Sequence, residues 1–191
     1  MIDTKEADEQ LLKSLFNDDL TGVEDAIKKG ASLNTPYNEK GYTPFMWICK
    51  EYISADVLEW AIKLGASVKK RNKNKETPLH IVARKRGSFC PCLNVLINHG
   101  ADVNAQDING NTPLMSLLTH PQVKLRMSVV EGLCDAGTDV FIKNKDGQTA
   151  YDIAKDNLSF QSEEILDFLQ CGHWDEEITE DDIWINECSP M

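Results

Sequence analysis

The chain of 191 residues is 41% hydrophobic and 27% charged, a composition typical of a folded globular protein and not of a disordered one. No apolar run approaches the ~18 residues that a membrane span needs, and the first residues lack the positive region and apolar core of a secretory signal. The net charge of −11 is concentrated at one end, because residues 156–191 contain eleven acids and no lysine or arginine, whereas residues 1–155 are neutral overall.

Six cysteines are spread along the chain. Because no export signal accompanies them, we expect reduced thiols in a cytoplasmic protein. Several of these cysteines are expected to be buried as small apolar side chains.

Two short markers recur along the chain at one period. Glycine followed by alanine or threonine comes first, and threonine followed by proline or alanine comes next, so the two markers alternate. The glycines are Gly30, Gly65, Gly100 and Gly137, and the threonines are Thr43, Thr77, Thr112 and Thr149. Successive threonines lie 34, 35 and 37 residues apart, and a period of this length indicates a repeat architecture.

The chemistry of the markers predicts two helices in each repeat. Threonine can cap a helix start while proline takes the first helical position, where its missing N–H costs nothing. About 20 residues later, glycine ends a second helix by adopting the left-handed conformation. The apolar stretches between the markers, such as 79–83 and 93–97, are too short to be stable alone, so we expect them to stack around a continuous core.

The segments TPLHIVA at 77–83 and NHGADVNA at 98–105 resemble the ankyrin repeat. The resemblance covers roughly residues 7–172. It implies an all-α solenoid of about five stacked helix-turn-helix repeats, with hairpin loops that project at right angles. The repeats are expected near 7–37, 38–70, 71–105, 106–143 and 144–172, followed by an acidic tail at 173–191.

Several positions depart from the family pattern. The first repeat is a cap that lacks Thr-Pro, and Trp47 in the second repeat is bulkier than the usual small residue. Lys75 stands in the third hairpin loop where the family has glycine. Repeat 4 has a longer segment between its helices, at 119–127.

The sequence predicts no catalytic residue, no metal site and no cofactor. The four histidines are scattered and none has metal-ligand spacing to another. His80 matches the histidine that, by the resemblance, forms hydrogen bonds between neighbouring loops. Neither a phosphate-binding glycine loop nor a nucleophile signature is present.

Two shorter patterns have structural interpretations. Cys90-Pro91-Cys92 lacks further soft ligands nearby, and we interpret it as the turn into the second helix of repeat 3. A nucleophilic Cys90, which has basic residues just upstream, or Cys188 is the basis of a thiol-enzyme alternative. Asn104 resembles a position that an asparagine hydroxylase modifies, but we interpret it as the ordinary hairpin residue that ties its loop by hydrogen bonds.

A basic loop marks repeat 3. Residues 69–75 contain five cations, and three more follow at 84–86. In the ankyrin fold both segments border the concave groove, where the side chains are free of packing duties; a merely solvated loop is the alternative. The candidate partner-binding residues are Lys40, Tyr42, Lys73, Asn74, Glu76, Arg84, Lys85, Ile108, Asn109 and Asn111.

This pattern favours a protein partner. A basic centre between Tyr42 and Ile108 suits a protein surface that presents an acidic patch around an apolar spot. No aromatic residue interleaves with the basic run, so we expect no nucleic acid partner. We also expect no membrane partner and a monomeric chain.

The acidic tail has three open interpretations. Residues 175–182 contain six acids, with Trp174 and Trp184 on either side, and apolar residues in such a tail indicate that it packs on something. It can cover the exposed face of repeat 5 or bind a partner. The third interpretation is export, because 176–180 resembles the glutamate-rich C-terminal signals of effectors that intracellular bacteria inject by type IV secretion.

The predicted function is a non-catalytic protein–protein interaction module in the cytoplasm. It would act as an adaptor or as a host-targeted effector, in the latter case in the host cytoplasm. One alternative is an ankyrin-type inhibitor of a transcription factor. The other is a thiol-dependent enzyme on an ankyrin scaffold.

Overall fold

The computed structural model describes residues 4–51, 54–84, 90–119, 127–157 and 163–171, and within these ranges every regular element is an α-helix. The helices are α1 (Thr4–Phe16), α2 (Leu20–Lys28), α3 (Pro44–Glu51), α4 (Ala55–Lys63), α5 (Pro78–Ala83), α6 (Cys90–Asn98), α7 (Pro113–Leu118), α8 (Met127–Asp135), α9 (Ala150–Asp156) and α10 (Glu163–Cys171). They follow one another as five pairs, which confirms the predicted all-α solenoid of helix-turn-helix repeats.

The described helices lie in layers around one core. Helices α1, α3, α5, α7 and α9 pack side by side in chain order, and α4, α6 and α8 do the same. Fully buried side chains of the core include Leu11, Phe45, Leu79 and Leu114, which come from the first four repeats. Because the longest described helix has only 13 residues, the stacking of one repeat on the next supplies most of the stability.

Threonine caps start the first helices, as predicted. The Oγ1 atoms of Thr43 and Thr112 accept hydrogen bonds from the backbone N–H three residues later, at 3.2 and 3.3 Å. Thr149 forms a reciprocal capping box with Asp152, whose carboxylate accepts the Thr149 N–H at 2.8 Å. The markers in the sequence therefore coincide with helix starts in the structure.

The hairpin loops are joined tip to tip by backbone hydrogen bonds. Lys73 N donates to Lys40 O at 3.0 Å, Ile108 N to Asn74 O at 2.7 Å, and Lys145 N to Asn109 O at 2.9 Å. Gly110 has φ 81°, and a Cβ atom there would lie 2.9 Å from the backbone N of Lys145. Lys75 occupies the equivalent position in the preceding loop with φ 59°, a conformation that favours glycine.

Two asparagines tie their loops to the next repeat. The side-chain N–H of Asn34 and of Asn104 donates to the carbonyl of a glycine that follows a second helix, at 2.8 and 3.2 Å. The side-chain oxygen of each asparagine accepts the backbone N–H of the residue two positions after that glycine, at 2.8 Å in both cases. Asn104 thus has the role predicted for it. Lys69 and Phe141 occupy the equivalent positions of repeats 2 and 4 and have no side-chain amide with which to make this clasp.

Some predictions concern residues outside the described ranges. The acidic tail at 173–191, Lys85, Cys188 and the segment 120–126 lie there, as does the side chain of Cys90. Among the helices that are described, none has the length and apolar character to cross a membrane.

Candidate interaction groove

One face of the stack is bordered by the first helices and by one side of the hairpin loops; we call this face the groove. Trp47, Ile81, Ser116 and Ile153 each lie four residues after a capping threonine, so they form one row along the first helices. Ile153 lines a cleft together with residues of two hairpin loops, which places the row on the groove side.

Glu76 holds the middle of the groove together. This residue is only 5% exposed. Its carboxylate accepts hydrogen bonds from the Asn72 amide at 2.6 Å and the Tyr42 hydroxyl at 3.3 Å, and it pairs with the Arg84 guanidinium. The expectation that Glu76 is free of packing duties is therefore wrong. The same contacts fix Tyr42 and Arg84, which were also expected to be free.

Opposing effects act on the pKa of Glu76. Burial of the carboxyl raises its pKa, whereas the Asn72 hydrogen bond, the charge and hydrogen bond of Arg84, and the Tyr42 hydrogen bond lower it; the pKa ends below its ordinary value. Glu76 is thus ionised at neutral pH and compensates the charge of Arg84. Burial, followed by the charge of Glu76, raises the pKa of Tyr42, which keeps its hydroxyl a donor.

The other predicted contact residues differ in their exposure to solvent. Those that are exposed are Lys40, Lys73, Asn74, Ile108 and Asn109. Asn111 is half-buried, and its side-chain oxygen accepts a hydrogen bond from the Asn144 amide at 3.1 Å. Lys85 lies outside the described residues. The structure therefore leaves the basic centre with two exposed lysines and one compensated arginine.

His80 bridges two repeats as a neutral side chain. Its Nδ1 accepts the Thr77 backbone N–H at 3.2 Å, so the proton is assigned to Nε2, which donates to Asn111 O at 3.1 Å. Burial lowers the pKa of His80 and favours this neutral form. The contact confirms the predicted structural role, and both ring nitrogens are used by it.

An aromatic cluster at the N-terminal end of the groove was not among the predicted contacts. Phe16 is 54% exposed. Its ring centroid lies 5.1 Å from that of Trp47 and 6.2 Å from that of Tyr37, both edge to face. The bulk of Trp47 is a signal that the sequence does carry. Nothing in the sequence indicates that the end of α1 brings Phe16 to it.

A polar cleft of about 320 Å³ lies at the C-terminal end of the groove. Asn109 and Asn111 line it, as predicted for contact residues, and so do Asp146, Gln148 and Asp156. Its lining holds two acids and no cation. Asp146 and Gln148 occupy the positions in repeat 5 that Asn109 and Asn111 occupy in repeat 4, so an alignment of the loops identifies them.

Within the described ranges, no three His, Cys, Asp or Glu side chains are grouped so as to hold a metal ion. Cys49, Cys92 and Cys134 are buried as reduced thiols, as expected for several of the cysteines. Burial and, to a lesser degree, Asp135 raise the pKa of Cys134 to about 11, so this thiol is not an activated nucleophile.

Comparison with known proteins identifies relatives over most of the chain. The family described as ankyrin repeats (3 copies) matches residues 8–107 and 46–144. Protein phosphatase 1 regulatory subunit 12A of Mus musculus is 33% identical over 110 residues, which is 58% of this chain and 10% of that protein. Ankyrin repeat and SOCS box protein 6 of Homo sapiens is 31% identical over 132 residues, which is 65% of this chain and 30% of that protein.

A third relative carries the name of an enzyme. It is a Plasmodium falciparum protein whose name assigns it provisionally to the E3 ubiquitin-protein ligases, and it is 29% identical over 147 residues. The match covers 73% of this chain and 1% of that protein. This chain therefore spans less than a third of the length of each of these relatives, and the similarity lies in the repeats.

Proposed function

The chain belongs to the ankyrin-repeat family, and from that premise we propose that it is a non-catalytic module that binds a partner protein along the groove. The exposed ring of Phe16, packed on Trp47 and Tyr37, is the observation that carries this proposal. Aromatic side chains, phenylalanine among them, are enriched at protein interfaces relative to the rest of the surface. The names of two relatives, a regulatory subunit and a SOCS box protein, support a role as an adaptor.

The proposed contact surface has three parts. Phe16 anchors an apolar spot of the partner at one end, and Asp146 and Asp156 offer acceptors to its donors at the other. The central contacts are Lys40, Tyr42, Lys73, Asn74, Arg84, Lys85, Ile108, Asn109 and Asn111. Glu76 acts within this surface as a positioning residue, because it holds Tyr42 and Arg84 in place.

The anchor is tested by affinity capture of the partner with the full chain, identification by mass spectrometry, and titration of the purified partner. Phe16→Ala is expected to weaken binding at least tenfold, or ~1.4 kcal/mol, with little change in the free energy of unfolding. Phe141→Ala is the matched control, since Phe141 is also exposed, at 68%, but lies in repeat 4, whereas the aromatic cluster lies in repeats 1 and 2. Equal losses in the two variants would exclude Phe16 as the anchor.

The basic centre is tested by charge reversal of Lys40 and Lys73 to Glu. We expect slower association and a weaker dependence on salt, since exposed charges mainly steer encounter. Arg84 is unsuited to this test because Arg84→Glu would place a second carboxylate against buried Glu76. An unchanged association rate and salt dependence would show that no acidic patch of the partner faces these lysines.

The captured partner also decides between finer roles. A cytoplasmic regulatory or host protein is the partner expected of an adaptor or host-targeted effector, the role we propose. A transcription factor as the specific partner would indicate an inhibitor of that factor instead.

A further inference from the structure

A basic cleft lies on the hairpin loops, outside the groove. Its volume is about 450 Å³. The four cations in its lining are Arg71 and Lys75 in the hairpin loop of repeat 3, and Lys143 and Lys145 in the hairpin loop that leads into repeat 5. The loop of repeat 4, which lies between them, contributes Gln106 and Asp107.

The basic cleft and the groove occupy different faces of the loops. Lys143 and Lys145 line the basic cleft, whereas Asp146 and Gln148 of the same loop line the polar cleft of the groove. The two clefts share only Asn144. None of the residues predicted to bind a partner from the sequence lines the basic cleft. A ligand bound there would leave the groove open.

Positive charge is in excess in the basic cleft, whose lining holds four cations and one acid, Asp107. None of its four cations forms an ion pair with a described acid within 4.0 Å. The carboxylate of Asp107 accepts the N–H groups of Asn109 and Asn111 at 2.8 and 2.9 Å, so it serves its own loop. Like charges gathered in one cleft repel each other and attract an anion.

Two of the cations are held where they are by the loops themselves. Lys75 stands with φ 59° at a position where other loops of this chain have glycine, so a lysine occupies it although this backbone conformation is unfavourable for a residue with a Cβ atom. Arg71 Nη1 donates to Gln106 O at 3.1 Å, which holds the guanidinium across the junction between repeats 3 and 4. Gln106 in turn donates to Lys143 O at 3.2 Å and joins the loop of repeat 5.

We propose that the basic cleft is a second binding site, and that its ligand is an acidic peptide segment of a protein partner. Cations at both ends of a cleft that crosses three loops suit successive carboxylates along an extended chain. No aromatic side chain lines the cleft, so nucleic acid bases have no surface on which to stack. A concave cleft also suits an inserted chain better than a flat lipid surface.

The test uses the full chain and a fluorescently labelled octaglutamate peptide, with binding followed by anisotropy at low and at physiological salt. The double variant Lys75→Gly and Lys145→Gln is expected to bind at least tenfold more weakly. Lys75→Gly removes a cation at a glycine-type position, so folding should be retained, and thermal melting checks this. Lys69→Gln with Lys70→Gln is the matched control, because both are exposed lysines of the same basic run and neither lines the cleft.

The outcomes separate the site from general attraction of anions. A selective loss in the cleft variant, with the control close to the unaltered chain, supports the proposal. Equal losses in both variants, or no binding of octaglutamate, overturn it. Oligothymidylate and phosphatidylserine vesicles are run in parallel, and tighter binding of either one with the same selective loss would replace the peptide by a nucleic acid or a membrane.

Discussion

Burying the carboxylate of Glu76 is favourable only because donors surround it. Asn72, Tyr42 and Arg84 supply these donors, and an unpaired buried carboxylate would cost several kcal/mol, ~3–5 when one partner is removed. The pKa of Glu76 is lower in the folded chain than its ordinary value of 4.5. Its contribution to stability is therefore present above the unfolded pKa and is lost as the pH falls through the lower folded pKa.

Replacing this carboxylate should change how stability responds to acid. Glu76→Gln is expected to lower the free energy of unfolding at neutral pH by ~1–3 kcal/mol, since it weakens hydrogen bonds to a charged group. The difference between the variant and the unaltered chain should shrink as the pH falls below 4.5. Urea denaturation at pH values on both sides of this point measures it. A difference that stays constant across the range would contradict the assignment.

Lys75 allows a stabilising substitution. A non-glycine residue in the left-handed region costs ~1–2 kcal/mol, and the greater freedom of glycine in the unfolded chain offsets part of the gain. We expect Lys75→Gly to raise the free energy of unfolding by ~0.5–1 kcal/mol. Lys70→Gly, at a position without positive φ, should lower it. Chemical denaturation compares the two variants. A lower free energy of unfolding in Lys75→Gly would show that packing of the Lys75 side chain stabilises the fold by more than its backbone strain destabilises it.

At the scale of the elements, glycines at equivalent positions of two hairpin loops have different surroundings. Gly110 and Gly147 have similar φ values, 81° and 78°. A Cβ atom at Gly110 would meet the backbone of the next loop at 2.9 Å, whereas at Gly147 it would meet nothing within 4 Å. The two positions therefore separate the effect of steric contact from that of backbone conformation.

Alanine at these two positions should give different costs. Gly147→Ala is expected to cost ~1–2 kcal/mol for the left-handed conformation alone. Gly110→Ala should cost ~1–2 kcal/mol more, because the loops must separate and the Lys145 N–H to Asn109 O bond weakens. Guanidinium denaturation of both variants gives the difference. Equal costs would show that the loops adjust freely.

The elements also show which features the sequence predicts. Thr-Pro and the glycines predict helix starts and ends because capping is local chemistry, and His80 and Asn104 are predicted because the family pattern fixes their neighbours. The ion pair of Glu76 with Arg84 is not predicted, because residue type alone does not show that Arg84, at the end of α5, lies beside the hairpin loop of the same repeat. The basic cleft is missed because Arg71 and Lys143 lie 72 residues apart in the chain and meet only through stacking.

At the scale of the whole molecule, one core runs through all the described repeats. A repeat that cannot bury its apolar face alone depends on its neighbours, so a substitution that destabilises a middle repeat should destabilise the neighbouring repeats as well. Leu79, fully buried in repeat 3, is the central position for this test.

Leu79→Ala is expected to cost ~2–5 kcal/mol and to leave unfolding cooperative. Trp47 and Trp60 both lie in repeat 2, so their fluorescence reports on that repeat once Trp174 and Trp184 are replaced by Phe. In this background the midpoints by fluorescence and by far-UV circular dichroism should shift together. A fluorescence midpoint that does not move would show that the repeats unfold independently.

The asparagine clasps have a mechanical consequence. Asn34 ties repeat 1 to repeat 2 and Asn104 ties repeat 3 to repeat 4. Lys69, at the end of repeat 2, and Phe141, at the end of repeat 4, have no side-chain amide with which to tie the repeat that follows. If the chain were stretched between its two ends, every junction would carry the same load in series. The unclasped junctions would separate first, at the base of their loops, and the clasped pairs, repeat 1 with repeat 2 and repeat 3 with repeat 4, would stay together at a higher load.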